Sequence, residues 1–126
     1  MKNISILLAE DNPGDARLML AMLKESTRIN CSVILAKKLS AAETQTKKNS
    51  FDSIILDLNL PDSKGLVTLD HLIETTGNSI PVIILTGIHD EEMGIAAIEQ
   101  GAEDYLVKGG VNLFQIIRSI RYSIER

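Results

Sequence analysis

Five short apolar runs, rich in Ile, Val and Leu and without polar alternation, punctuate the chain at 4–9, 32–36, 53–58, 82–86 and 104–107. Strands buried on both faces of a parallel sheet look like this, because neither face meets water. Between the runs, apolar residues recur with helical period over 14–26, 40–48, 66–76, 91–100 and 112–124. The alternation predicts an α/β fold, a doubly wound parallel sheet with helices on both faces. Punctuation agrees. Asp90 is placed to cap the fourth helix with Glu91 and Glu92 in its first turn, Gly77 and Gly101 to end the third and fourth, and Pro81 to open a strand.

Four of the runs end on reactive side chains: the first on Glu10 and Asp11, the third on Asp57, the fourth on Thr86 and the fifth on Lys108. Parallel strands bring all of these to the carboxyl edge of the sheet, where open α/β sheets bind ligands. The first turn has the wrong charge for a phosphate cradle, with two carboxylates and only Gly14 nearby, so dinucleotide and flavin readings lose ground. Asp57 adds a third carboxylate, and crowded like charges raise at least one pKa unless a counterion intervenes. Oxygen ligands without Cys or His favour Mg²⁺, or Mn²⁺, over zinc or copper. Lys108 and the Thr86 hydroxyl suit a transferring phosphoryl group, which makes Asp57 the candidate nucleophile and an acyl phosphate the candidate product.

The remaining composition narrows the class. At 126 residues, 44% apolar and 24% charged, the chain matches one ordinary folded domain. A net charge of −4 without a Lys/Arg block argues against direct nucleic-acid binding. Cys31 is the single cysteine, so no internal disulfide forms. No signal peptide is visible and no apolar stretch approaches bilayer length, so no membrane association and a reducing cytoplasm are expected.

Four stretches carry a resemblance: Ile6-Leu7-Leu8-Ala9-Glu10-Asp11-Asn12, Ile55-Leu56-Asp57-Leu58-Asn59-Leu60-Pro61-Asp62 with Gly65, Val82-Ile83-Ile84-Leu85-Thr86-Gly87, and Asp104-Tyr105-Leu106-Val107-Lys108. In this order and spacing they resemble the receiver domain of two-component response regulators, over essentially the whole chain. The resemblance implies one receiver domain over 1–126 with a flavodoxin-like, five-stranded sheet of order 2-1-3-4-5 and five helices. It implies Asp57 as phosphoacceptor, with Asp11, the Asp57 carboxylate and the Asn59 backbone carbonyl holding Mg²⁺ and Glu10 acting through a bound water. Lys108 then pairs with the phosphoryl oxygens, Thr86 swings toward them on activation, Gly87 offers its N–H, and Tyr105 changes rotamer with Thr86. Receivers usually carry a proline after the lysine; here Gly109 and Gly110 follow, which predicts a more mobile loop.

The implied donor is a histidine kinase or a histidine phosphotransfer protein, and the output is a separate protein or a fused output domain. Leu18 and Met22 on the first helix, beyond a core stripe of Ala16, Leu20 and Leu23, are candidate partner contacts. Asn59 and Ile88, two residues past Asp57 and Thr86, are expected to slow loss of the phosphoryl group, since Asn59 cannot act as a base and Ile88 excludes water. His71 and His89 receive no role, Cys31 reads as a small hydrophobe, and the fifth helix reaches Arg126 without a stop signal. Two other readings compete. A haloacid-dehalogenase-type phosphatase needs a second Asp where Asn59 stands, and a receiver-like module that is never phosphorylated has no need of an intact Asp and Lys set.

Overall fold

The computed structural model describes residues 3–125. Seven strands and five helices follow one another as β1 (Asn3–Ala9), α1 (Pro13–Glu25), β2 (Asn30–Ala36), α2 (Leu39–Lys48), β3 (Ser53–Asp57), β4 (Asn59–Leu60), β5 (Ser63–Lys64), α3 (Leu66–Thr76), β6 (Val82–Thr86), α4 (Glu91–Glu99), β7 (Asp104–Val107) and α5 (Leu113–Glu125). The main sheet is parallel with order β2-β1-β3-β6-β7, which is the expected order of five strands once the small antiparallel hairpin β4-β5 is set aside. That hairpin, inside the loop after Asp57, carries no period in the sequence because each arm is only two residues long. Residues 1, 2 and 126, at the ends of the expected domain, lie outside the described residues.

Strand pleating divides the core. Leu7, Ala9, Ile54, Leu56 and Ile84 face α2, α3 and α4 through Leu39, Ala42, Leu69, Leu72 and Ala97. Ile6, Leu8, Ile55, Ile83 and Leu85 face α1 and α5 through Met19, Leu23, Ile116, Ile117 and Ile120. Each such Leu or Ile stabilises the fold by roughly 1.5–3 kcal/mol through burial. Every residue of β3 and β6 is buried, so the two strands that end in Asp57 and Thr86 are the most constrained in the sheet.

Helix starts differ in how they are satisfied. On α1, the Asn12 carboxamide accepts from the Asp15 N–H and Pro13 opens the helix, where its missing N–H costs nothing. On α2, Lys38 supplies no side-chain cap; the Asp62 carboxylate, from the loop after β3, accepts instead from the Leu39 and Ser40 N–H groups at 2.7 and 3.0 Å. That cap ties the loop bearing Asn59 to a neighbouring helix. Asp90 precedes α4 but makes no side-chain cap bond, contrary to its expected role; its carboxylate lies over Gly87 instead. Gly77 ends α3 in the left-handed conformation, as expected.

On α1 the buried stripe is Ala16, Met19 and Leu23, with Leu20 and Met22 half-buried against the same core. Met19 and Met22 therefore pack inward, and of the apolar residues surplus to the expected stripe only Leu18, at 53% exposure, faces solvent.

Gly94 in α4 is buried against the ring of Tyr105 on β7: a Cβ there would meet Tyr105 Cγ at 2.6 Å. Alanine normally improves on glycine inside a helix by roughly 0.5–1 kcal/mol, whereas overpacking costs roughly 1–3 kcal/mol. Gly94→Ala is therefore expected to lower stability by about 1 kcal/mol in urea denaturation. In a Tyr105→Ala background the same change is expected to be neutral or stabilising; a loss in both backgrounds contradicts the contact.

Candidate functional site

Strand register aligns the reactive residues. Ala9 pairs with Leu56, Asp57 with Leu85, and Thr86 with Val107, so Glu10, Asp57, Thr86 and Lys108 step along the carboxyl edge within a residue of one another. The ladder carries on past the strand ends: the Glu10 N–H donates to the Ala36 carbonyl at 3.0 Å and the Lys108 N–H to the Thr86 carbonyl at 2.8 Å. A pocket of about 220 Å³ opens here, lined by Asp57, Asn59, Thr86, Gly87, Asp90 and Lys108 among others.

Charge is concentrated at one point. The Lys108 ammonium lies 2.6 Å from Glu10 Oε1, 2.7 Å from Asp57 Oδ2 and 3.2 Å from Asp15 Oδ2. Glu10 is 1% exposed and Asp57 6%, whereas Asp11 is exposed. Asp57 Oδ1 accepts the Asn59 N–H at 2.9 Å, and Glu10 Oε2 accepts the Asn12 N–H at 3.2 Å. Glu10 Oε1 is met by the ammonium alone; no other donor reaches it among the described residues. Burial, then the neighbouring Asp57, pushes the Glu10 carboxyl up to about 7 against the pull of Lys108. Burial alone would lower the Lys108 ammonium, but its hydrogen bonds to Asp57 and Glu10 outweigh that and hold it above its ordinary value.

The donor set suits a hard cation. Glu10, Asp11 and Asp57 each offer one carboxylate oxygen, and the three lie within 4.8 Å of one another. Oxygen ligands alone, from three clustered carboxylates that share a single ammonium, match the preference of Mg²⁺ for a few carboxylates completed by water. Asn59 stands next to Asp57 through its N–H, and its side-chain oxygen accepts from Lys64 Nζ at 2.8 Å.

Thr86 is buried, and its hydroxyl donates to the Leu106 carbonyl at a long 3.4 Å, away from Asp57. A bond this long is released at little cost. Lys108 sits in the turn from Val107 to Gly110, closed by a 3.3 Å bond from the Gly110 N–H to the Val107 carbonyl. With φ of 83° at Gly109 and no positive φ at Lys108, the turn is type II, which asks for glycine at its third position. Gly109, where the resembling family usually carries proline, supplies a positive φ that proline cannot adopt.

One expectation finds no support at the rim: Ile88 is 67% exposed and absent from the pocket lining. His89 is likewise exposed and outside the lining, as is His71 on α3. Asp15, unassigned from sequence, joins the site. An acid in a helix's first turn reads as a dipole partner, and only its position one helical turn beyond Asp11 hinted at more. Asp90 and Met93 on the far wall were also missed as site residues.

Comparison with known proteins decides the family: residues 6–121 match the family described as the response regulator receiver domain. The chain belongs to that family. Among curated proteins, this receiver is 33% identical to response regulator Rcp1 of Synechocystis sp. over 124 residues, covering 91% of this chain and 84% of that one. Of other curated relatives it spans only 23% to 46% of the length. Among solved structures it superposes on a response regulator from Chloroflexus aurantiacus with TM-score 0.86 and 25% identity, covering 99% of this chain and 100% of that one. It also superposes on the receiver domain of a Pseudomonas aeruginosa sensor histidine kinase, with TM-score 0.81, 26% identity and coverage of 99% and 100%. That structure holds a magnesium ion coordinated in its active site cleft. The flavodoxin-like receiver fold and a phosphoacceptor role in two-component signalling follow from the family, and the phosphatase reading falls away.

Titration of Glu10 gives a test of this receiver's site without metal. A carboxyl at about 7 when folded and near 4.5 when unfolded binds more protons in the folded state between those values. Its share of stability is therefore full below pH 4.5 and is lost as pH rises to about 7. Urea unfolding in a chelator-treated buffer is expected to show stability declining across that window in the wild type and a flatter profile in Glu10→Gln. Parallel profiles contradict the account of Glu10.

Proposed function

We propose that Asp57 accepts a phosphoryl group from a phosphohistidine on a histidine kinase or histidine phosphotransfer protein, and that the acyl phosphate changes which proteins this domain contacts. The observation that carries the reading is the Lys108 ammonium 2.7 Å from Asp57 Oδ2, beside three clustered carboxylates. An Asp57 oxygen attacks phosphorus, an O–P bond forms as the N–P bond of the donor breaks, and the imidazole leaves with its electron pair and takes a proton. Lys108 spreads the charge on the phosphoryl oxygens. Thr86 turns its hydroxyl from the Leu106 carbonyl toward the new anion, with the Gly87 N–H as a second donor.

Mg²⁺, with Mn²⁺ as a substitute, is held in this reading by Asp11, the Asp57 carboxylate and the Asn59 backbone carbonyl, with Glu10 through water; when bound it neutralises the phosphoryl oxygens. The domain catalyses nothing beyond its own phosphorylation and dephosphorylation. Residues 1–126 form one receiver, which acts through a downstream protein or an output domain. Leu18, exposed on α1, is the contact favoured for the phosphodonor. Among the described residues no helix is long and apolar enough to cross a membrane, and a cytoplasmic location is the reading adopted here.

Incubation with Mg²⁺ and acetyl phosphate, followed by intact mass and peptide mapping, tests the assignment. One phosphoryl adduct on Asp57, absent from Asp57→Asn and reduced more than tenfold in initial rate by Lys108→Met, is the expected result. No adduct, or an adduct elsewhere, contradicts it, and sustained hydrolysis of phosphate monoesters restores the phosphatase reading.

A further inference from the structure

An ammonium has three protons to donate and accepts none. Around Lys108 the partners already number three: Glu10 at 2.6 Å, Asp57 at 2.7 Å and Asp15 at 3.2 Å. A phosphoryl group on Asp57 brings further anionic oxygens to the same ammonium, so a present partner must give way. Glu10 and Asp57 are buried at the ends of β1 and β3, whereas the Asp15 side chain is 42% exposed and makes the longest contact of the three. Water can replace Lys108 around Asp15 at small cost.

The local chain places Asp15 deliberately over the site. The Asn12 side chain accepts the Asp15 N–H at 2.9 Å in the first turn of α1, and from that turn the Asp15 carboxylate reaches the Lys108 ammonium at 3.2 Å. On the other side, Lys108 is the second residue of the Val107–Gly110 turn, and its ammonium meets only carboxylates: Glu10, Asp57 and Asp15.

Resting on the proposed phosphorylation of Asp57, we propose that Asp15 is a positioning residue: it holds the Lys108 ammonium in the unphosphorylated domain and competes with the phosphoryl group for it, weighting the switch toward the resting state. Neutralising Asp15 then has effects of opposite sign, removing an ion pair from the resting fold while favouring the phosphorylated form. A purely structural residue moves both the same way.

Beryllofluoride with Mg²⁺, a non-covalent mimic of the phosphoryl group, measures the balance. Asp15→Asn is expected to bind it about two- to fivefold more tightly than the wild type at low salt, with a melting temperature equal or slightly lower in its absence. The gain is expected to shrink in high salt, and Asp15→Glu is expected to stay near the wild type. Glu25→Gln, which removes the same charge at the far end of α1, is the control for net charge. Unchanged or weaker binding by Asp15→Asn, or an equal gain in Glu25→Gln, overturns the role of Asp15 while leaving Asp57 as acceptor. No binding by the wild type overturns both.

Discussion

Everything at the carboxyl edge of this sheet depends on one lysine set among more carboxylates than it can neutralise. Lys108 touches Glu10, Asp57 and Asp15, and Asp11 stands beside them with its charge turned to solvent. Four acids against one base leave a deficit of positive charge in a partly buried place, which costs free energy unless a proton or a cation makes it up. The raised carboxyl of Glu10 shows the fold's answer without metal, which is to favour a proton there. A divalent ion held by Glu10, Asp11 and Asp57 would answer the same deficit.

The acceptor at the centre of this crowding, Asp57, ends one of the two fully buried strands. Strands β3 and β6 are buried along their whole length, and the side chains of alternate residues lock into helix layers above and below. The loop after Asp57 is tied down three ways: by the β4-β5 pairing, by Lys64 on Asn59, and by Asp62 across the start of α2. Contacts to one side are different: the Thr86 hydroxyl has only a long bond to the Leu106 carbonyl, and Tyr105 on β7 packs its ring on Gly94 of α4.

The strands, and the gathering of Glu10, Asp57, Thr86 and Lys108 at one sheet edge, were visible in the sequence because they depend on strong local signals, whereas the sheet order came through the resemblance. Apolar runs buried on both faces mark the strands, and reactive residues just past their ends share an edge whatever the loops do. What escaped was set by side chains from distant segments. Asp15 looks like a helix-dipole acid until Lys108, far along the chain, comes into view. Asp62 caps a helix that precedes it by more than a dozen residues, and no local pattern encodes that. Asp90 has the sequence of a cap, but its carboxylate lies over Gly87 instead. Met22 looked surplus because helical period alone does not say how wide a buried face two layers demand.

The most direct measurement is the thermal shift of the folded domain as Mg²⁺ is added at neutral pH. If the excess of carboxylates is what the cation relieves, the melting temperature rises with Mg²⁺ and saturates, with a stabilisation of about 2.7 kcal/mol once free Mg²⁺ reaches a hundred times its Kd. Asp11→Asn, which removes an exposed acid of the cluster without disturbing the core, is expected to abolish most of that rise. A wild type indifferent to Mg²⁺, or an equal rise in Asp11→Asn, contradicts the account.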